Sequence, residues 1–325
     1  MENNIKKEKK KIFKKPSKRT LCTILGVVFS ISIGTLIGYL VAVEVSPKGN
    51  DYSNLNENTL TDDVSKLYQD YIDKPKDILS YSPNDLANIA IYKYSQQSYT
   101  ESIITGSANS MGVTQKTYGR SYKNKDSAFN ESISESSFVK VAKRFYGNGD
   151  EVDIYNGNIE KNDQGISASY QDKEEFTSES YKDTWGKSFK EPVIYIISEK
   201  TTLETSKVTK EEDGNYLISL DLDPQTSVVN YVKQMVQMSG LDEAPEFIDV
   251  HLEFTIDSSL NLIELNVKET YYVWMVVKSK TEATLKEEYK VLDKESKIPS
   301  IDEKIYYWGN LWNRFINKLC YGLER

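Results

Sequence analysis

The 325 residues include one histidine, His251, two cysteines, Cys22 and Cys320, and serine, lysine and carboxylate groups spread along the whole length. These bound the chemistry. His251 lies on the polar side of an alternating stretch, Ile248-Asp249-Val250-His251-Leu252-Glu253-Phe254, and reads as a solvated strand residue. That solvated place disfavours a histidine-dependent triad, and without a second histidine a two-histidine zinc helix cannot be assembled. Cys22 lies in a long apolar stretch and Cys320 near the far end, so no intrachain disulfide is expected, and two cysteines do not make a metal set. Asp221-Leu222-Asp223 offers carboxylates to calcium, but too few further oxygens follow, and Asp223 is better placed as a helix cap. Gly147-Asn148-Gly149 lacks the third glycine and the helix of a nucleotide loop and reads as a turn. The excess of 49 acidic over 41 basic residues, a formal charge of −8, provides no basic footprint for nucleic acid. No cofactor, metal or nucleic-acid partner is expected.

One pair of groups has the makings of a nucleophile and base. Ser110-Met111, followed by Lys140 and Lys143-Arg144 and then by GNGDEVDIYNGN, resembles the serine–lysine arrangement of type I signal peptidases, in which a desolvated lysine activates a serine. The likeness implies a membrane-attached hydrolase. It departs from that family where Gly112-Val113 stands in place of the proline expected after Ser-Met, and NGDEVDIYNG is also an ordinary hairpin. The expectation is therefore a protein that is not an enzyme, with the serine–lysine hydrolase as the third reading.

These residues are positioned by a chain organised around Leu21 to Val43, twenty-three residues without a charge. As a helix this stretch is about 34 Å long, enough to cross the roughly 30 Å hydrocarbon core of a bilayer. Nine basic residues precede it, against Glu2 and Glu8, and 32 basic against 47 acidic residues follow. Basic flanks stay in the cytoplasm, so the expectation is a single-pass plasma-membrane protein, N-terminus inside and C-terminal domain outside. The stretch exceeds the about 7–15 apolar residues typical of a cleaved signal peptide, so anchoring is expected over cleavage, with a cut at Ala42-Val43-Glu44 as the alternative. Gly26, Ser30, Gly34 and Gly38 recur every four residues along it, a face that permits close helix approach and a homodimer through the span. The parts expected are a basic head at 1–20, the span at 21–43, a flexible spacer at 44–61, an α+β domain at 62–297 and an amphipathic helix at 298–325.

Within the domain, Val64, Leu67, Tyr68, Tyr71 and Ile72 fall at helical spacing, and Ser82-Pro83-Asn84-Asp85 opens a second helix that is apolar on most sides and hence buried. Residues 99–161 alternate as antiparallel strands, with turns read at Gly106, Gly119, residues 147–150 and Asn156-Gly157. A short helix over 177–186 carries Tyr181 and Trp185. Val193 to Thr209 alternates as a strand, and Asp213-Gly214 turns the chain into a strand over 216–221. Pro224 to Ser239 reads as the clearest helix, capped by Asp223 and presenting Val228, Tyr231, Val232, Met235 and Val236. Three regular strands follow. One sets Ile248 through Ile256 inward; the next sets every second residue from Ile263 to Val277 inward, apart from Glu269; the third carries Ala283, Leu285, Tyr289 and Val291. The fold expected is thus a long curved antiparallel sheet with helices on its apolar face.

That face is either an ordinary filled core or a cavity, in which Val228, Val232, Met235 and the flexible Met238 would meet a ligand. Past Pro299, the stretch from Ile305 to Arg325 reads as an amphipathic helix. Its Trp308, Trp312 and Phe315 would either make a second contact with membrane lipids or pack on the domain or a partner.

The run SESSFVKVAKRFY, EPVIYIISEKTTLE, EEDGNYLISLDLDP, VVNYVKQM and LEFTIDSSLNLIEL resembles a family of uncharacterised membrane-attached proteins of Firmicute-type bacteria over roughly residues 80–292. The pattern of a long sheet over capped helices is similar to the lipoprotein-carrier fold of the LolA, LppX and LprG type. That likeness implies an apolar or amphiphilic, lipid-like ligand held between helix and sheet. The function expected is a membrane-anchored extracytoplasmic binding or interaction module whose ligand or protein partner is unknown. A cell-surface structural or signalling protein without a cavity is the alternative.

Overall fold

The structure is a computed structural model that describes residues 59–307 except 138, 240–243 and 275–277, together with 52 and 55. The span at 21–43 with Gly26, Ser30, Gly34 and Gly38, and the stretch carrying Trp308, Trp312, Phe315 and Cys320, lie outside the described residues. Among the described residues no helix is long and apolar enough to cross a membrane.

Eleven strands form one open antiparallel sheet: β1 Tyr99–Ser110, β2 Val113–Asn124, β3 Ser127–Glu135, β4 Lys140–Asn148, β5 Glu151–Asn162, β6 Gly165–Thr177, β7 Lys207–Lys210, β8 Tyr216–Leu222, β9 Glu246–Ile256, β10 Leu262–Trp274 and β11 Lys278–Val291. Their order is β6-β5-β4-β3-β2-β1-β11-β10-β9-β8-β7. Two meanders are therefore joined by the pairing of β1 with β11, from Thr100↔Val291 to Ser110↔Thr281. Among the described residues four α-helices accompany the sheet: α1 Val64–Asp73, α2 Pro83–Ser95, α3 Ser178–Trp185 and α4 Val229–Ser239.

Local chemistry accounts for most of these boundaries. The Ser82 hydroxyl accepts from the Asp85 N–H and Pro83 takes the first turn of α2; Thr177 and Ser180 cap α3 reciprocally. Gly186 stops α3 at φ +85°, where a Cβ would sit 2.2 Å from the Asn230 carbonyl oxygen, so only glycine fits. Met111 and Gly112 both have positive φ, which makes residues 110–113 a two-residue turn of the primed type that hairpins favour.

Several sequence expectations are corrected. Gly106, Gly119 and Gly157 lie inside β1, β2 and β5 rather than at turns; a Cβ there would approach a neighbouring carbonyl oxygen or the Tyr170 ring to 3.0 Å or less. Val193 to Thr209 is not a strand. Only Lys207–Lys210 forms a strand, with an isolated bridge from Thr202 to Leu222 before it, while Ile194, Ile196 and Ile197 are all buried in an irregular path whose Ile196 N–H donates to the Ser227 carbonyl. The helix expected from Pro224 begins at Val229, because Asp223 first caps a turn by accepting from the Thr226 N–H and hydroxyl. Ile248 and Ile263 point outward, since register shifts between β9 and β10 at Thr270/Tyr271 and Leu262/Glu264 reverse the faces at both ends. Ile305 does not open a helix, for Tyr307 instead exchanges backbone hydrogen bonds with Ile166 of β6.

The largest core lies where Leu86, Ile89 and Ala90 of α2 and Val228 and Val232 beside α4 meet Ile218, Leu220, Leu252, Phe254, Leu265 and Val267. Fully buried leucines and isoleucines of this kind contribute about 1.5–3 kcal/mol each. α2 is apolar nearly all round because the 193–198 segment covers its other side, where the Asn88 amide donates to the Ile197 carbonyl. A second cluster on the same face packs Tyr181 and Trp185 of α3 on Phe145, Val152 and Ile154. The third lies on the opposite face, where Tyr118, Ile133, Ala142 and Ala168 are covered by Tyr307. All three are built from residues of the described domain, which therefore carries its own core.

Candidate functional site

Between α3 on one flank and α2 on the other, the helix-bearing face of the sheet is floored by small side chains. Ser102, Gly106, Ala108 and Ser110 of β1 are followed by Thr117 and Ser121 of β2, and by Ser132 and Ser134 of β3. Large residues on the flanking strands reach the helices; these do not. The roof is the 187–195 segment and α4. The result is a cavity of about 530 Å³, within the usual range of ligand pockets.

The four residues expected at this site divide. Met235 and Met238, with Tyr231, line the cavity, whereas Val228 and Val232 are buried in the filled core and do not line it. Met235 and Tyr231 also pack against that core, so cavity and core adjoin along neighbouring sides of α4. Leu265, Val267 and Tyr271 of β10, and Phe189 and Tyr195 of the roof, complete an apolar and aromatic wall.

Two carboxylates stand on this face. Glu269 of β10 is 5 % exposed, and the Tyr195 hydroxyl donates to its Oε1 at 2.5 Å. Burial pushes its pKa up to about 7, against hydrogen bonds from Tyr195 and Tyr231 that lower it. Glu287 of β11 is also raised by burial; Ser102 and Tyr289 hydrogen-bond to it and Lys187 lies near it. Desolvation lowers Lys187 in turn, and Glu287 opposes that shift. In register Glu269 faces Ala283 and Glu287 faces Leu265, so the two carboxylates stand four residues apart along the strands, roughly 13 Å. Sequence reasoning marked Glu269 only as an exception to the alternation of β10 and passed over Glu287. A carboxylate that interrupts an apolar face was the available signal for both.

The other candidates are held apart. Ser110 Oγ is 2.8 Å from Ser279 Oγ, while the Lys143 ammonium donates to Asn156 Oδ1 at 2.7 Å. Through β2 and β3, Lys143 registers with Ile104 and Lys140 with Ser107. Both lysines are thus three strands from β1, roughly 14 Å, and neither reaches Ser110. His251 is not simply solvated, for its Nδ1 lies 2.6 Å from Asp221 and its Nε2 3.3 Å from Glu253. Asp221 faces His251 while Asp223 caps the turn before α4, so they do not converge on a cation. Among the described residues no group of three or more His, Cys, Asp or Glu could hold a metal.

Neither a family model nor a curated protein matches the chain. Among solved structures, an S-type phycobiliprotein lyase, CPES, from Guillardia theta is similar at 8 % identity, covering 67 % of this chain and 99 % of that one, with a TM-score of 0.21. A DUF1329 family protein from Desulfovibrio piger is similar at 9 % identity over 67 % of this chain and 93 % of that one, with a TM-score of 0.23. Likeness at that level says nothing of what this chain binds. The cavity has to be argued from its own walls.

Proposed function

We propose that the protein is a membrane-anchored extracytoplasmic binding module, not an enzyme, whose cavity takes one apolar or amphiphilic ligand. The observation that carries this reading is the cavity of about 530 Å³ over a floor of small side chains. In a filled core those positions would hold Leu, Ile or Phe, because empty apolar volume costs stability. Met235 and Met238, unbranched and adaptable, suit a wall that must fit a flexible chain. The arrangement of a long antiparallel sheet under helices also agrees with the lipoprotein-carrier likeness of the sequence, which implies the same class of ligand. The charge flanks of the 21–43 stretch argue for the membrane anchor.

The test is a titration of fragment 48–325, which contains every described element, with the apolar fluorophore N-phenyl-1-naphthylamine. A saturable one-site rise in fluorescence is expected, and Ser132→Phe, which fills the floor, should abolish it without lowering Tm. No saturable binding, or equal binding by Ser132→Phe, would overturn the reading.

A further inference from the structure

Resting on that reading, we propose that the Glu269 end of the cavity receives an ammonium group, so that the ligand is an amphiphile with a cationic amine head. A carboxylate taken out of water is costly unless it is paired. Yet among the described residues no lysine or arginine pairs with Glu269, which is held by neutral hydroxyls alone. The titratable groups facing it are Tyr195 from the roof, Tyr231 from α4 and Tyr271 from its own strand.

The three rings are themselves cation receptors. Tyr195 and Tyr231 stand 5.2 Å apart at a tilt of 54°, and a chain of ring contacts continues through Phe247 to Tyr271. Aromatic faces around a desolvated anion are what ammonium recognition uses, the rings attracting the cation through their quadrupoles and the carboxylate supplying the charge. A second observation falls at the same end. Thr281, 4 % exposed and lining the cavity, has a hydroxyl oxygen without a partner; it is opposite Tyr271 and two residues along β11 from Ala283, the neighbour of Glu269. An N–H donor would satisfy it.

The cavity's own cations lie toward the other end. Lys187 is drawn to Glu287, Lys123 bonds to the Ser95 carbonyl on a level with Thr100, eight residues along β1 from Ala108, and Lys190 lies near Lys123. Ala108 registers through Ala283 with Glu269. The head of a cationic amphiphile is therefore attracted to Glu269, and its tail lies along Leu265, Val267 and Met235.

Calorimetric titration of fragment 48–325 at pH 8 with octylammonium, octanol, octanoate and octyltrimethylammonium tests this. Octylammonium should bind about tenfold or more tighter than octanol, the margin of a charge-assisted hydrogen bond, with octanoate weakest. In Glu269→Gln the ratio of octylammonium to octanol affinity should fall to near one. Tyr195→Phe, which keeps the ring, should retain most of the preference. Octyltrimethylammonium, which cannot donate, reads the ring contribution alone and should fall between octanol and octylammonium. If octanol binds but octylammonium shows no preference, or if the preference survives Glu269→Gln, the ammonium site is wrong and the cavity reading stands. If none of the four binds, both fail.

Discussion

Glu131 and Glu269 are both buried carboxylates, and the protein offsets their desolvation in opposite ways. Glu131 and Arg144 are fully buried and 2.9 Å apart, with the Tyr170 and Tyr307 hydroxyls donating to the same carboxylate at 2.5 and 2.9 Å. The guanidinium is 4.2 Å from the centre of the Tyr170 ring and also donates to the Ser300 and Ile301 carbonyls. Arg144→Met would strand the carboxylate and should cost about 3–5 kcal/mol in urea unfolding, whereas Arg144→Met with Glu131→Leu should recover much of that loss. Equal losses in the single and double variants would show that the charge pairing is not what holds this cluster. Glu269 has no cation, and its pKa rises from 4.5 to about 7 on folding. Between those values the folded state keeps a proton that the unfolded state has lost, so stability falls as pH rises through the window and levels off above it. The loss is on the order of 3 kcal/mol. Glu269→Gln escapes it, and should melt higher than wild type at pH 8 while differing little near pH 4.5; the same difference at both pH values would refute the assignment.

At the level of elements, core and cavity positions of α4 differ in tolerance. Val232 is 7 % exposed in the filled core, and Val232→Asp should destabilise the domain by several kcal/mol by burying an unpaired charge. Met235 is only partly buried and borders the cavity on one side, so Met235→Ala should cost less than about 1 kcal/mol in the same denaturation experiment. Comparable losses would mean that the cavity side is packed like the core. The segment after β11 is the other element with a distinct role. Asn124 holds Ser296 from both its amide and its carbonyl oxygen, the Tyr146 hydroxyl donates to the Pro299 carbonyl, and Tyr307 pairs with Ile166. It straps the sheet face that the helices leave uncovered, which is why Tyr118, Ile133 and Ala142 can be buried there.

At the scale of the molecule, the sheet closes its two meanders through β1 and β11, strands nearly the whole domain apart in sequence. Its outermost strands are β6, paired at Ile166 by Tyr307 and carrying the charged run at 172–175, and the four-residue β7. Short or charged edges discourage pairing with a second chain. The basic head and acidic remainder around the 21–43 stretch predict that protease added to intact cells digests residues beyond about 50 and spares the head. Recovery of an intact, protected domain would place it on the other side.

Sequence alone determined the local elements: α2 and α3 from Ser82, Pro83, Thr177 and Gly186, the meanders from alternation, and the hairpin turns at Gly149 and Asp213-Gly214. These are legible because caps, turns and side-chain periods act within a few residues. Only the tertiary structure decided which positions around α4 are core and which line the cavity, that residues 193–206 follow an irregular path, buried at Ile194, Ile196, Ile197 and Ser198, rather than a strand, and that Ser110 and Lys143 are strands apart. It also decided that the serines and threonines of β1–β3 floor a cavity instead of facing water. Alternation tells one face of a strand from the other, but not what lies above it. That depends on side-chain volume summed over strands distant in sequence, and on the register shifts that turn Ile248 and Ile263 outward.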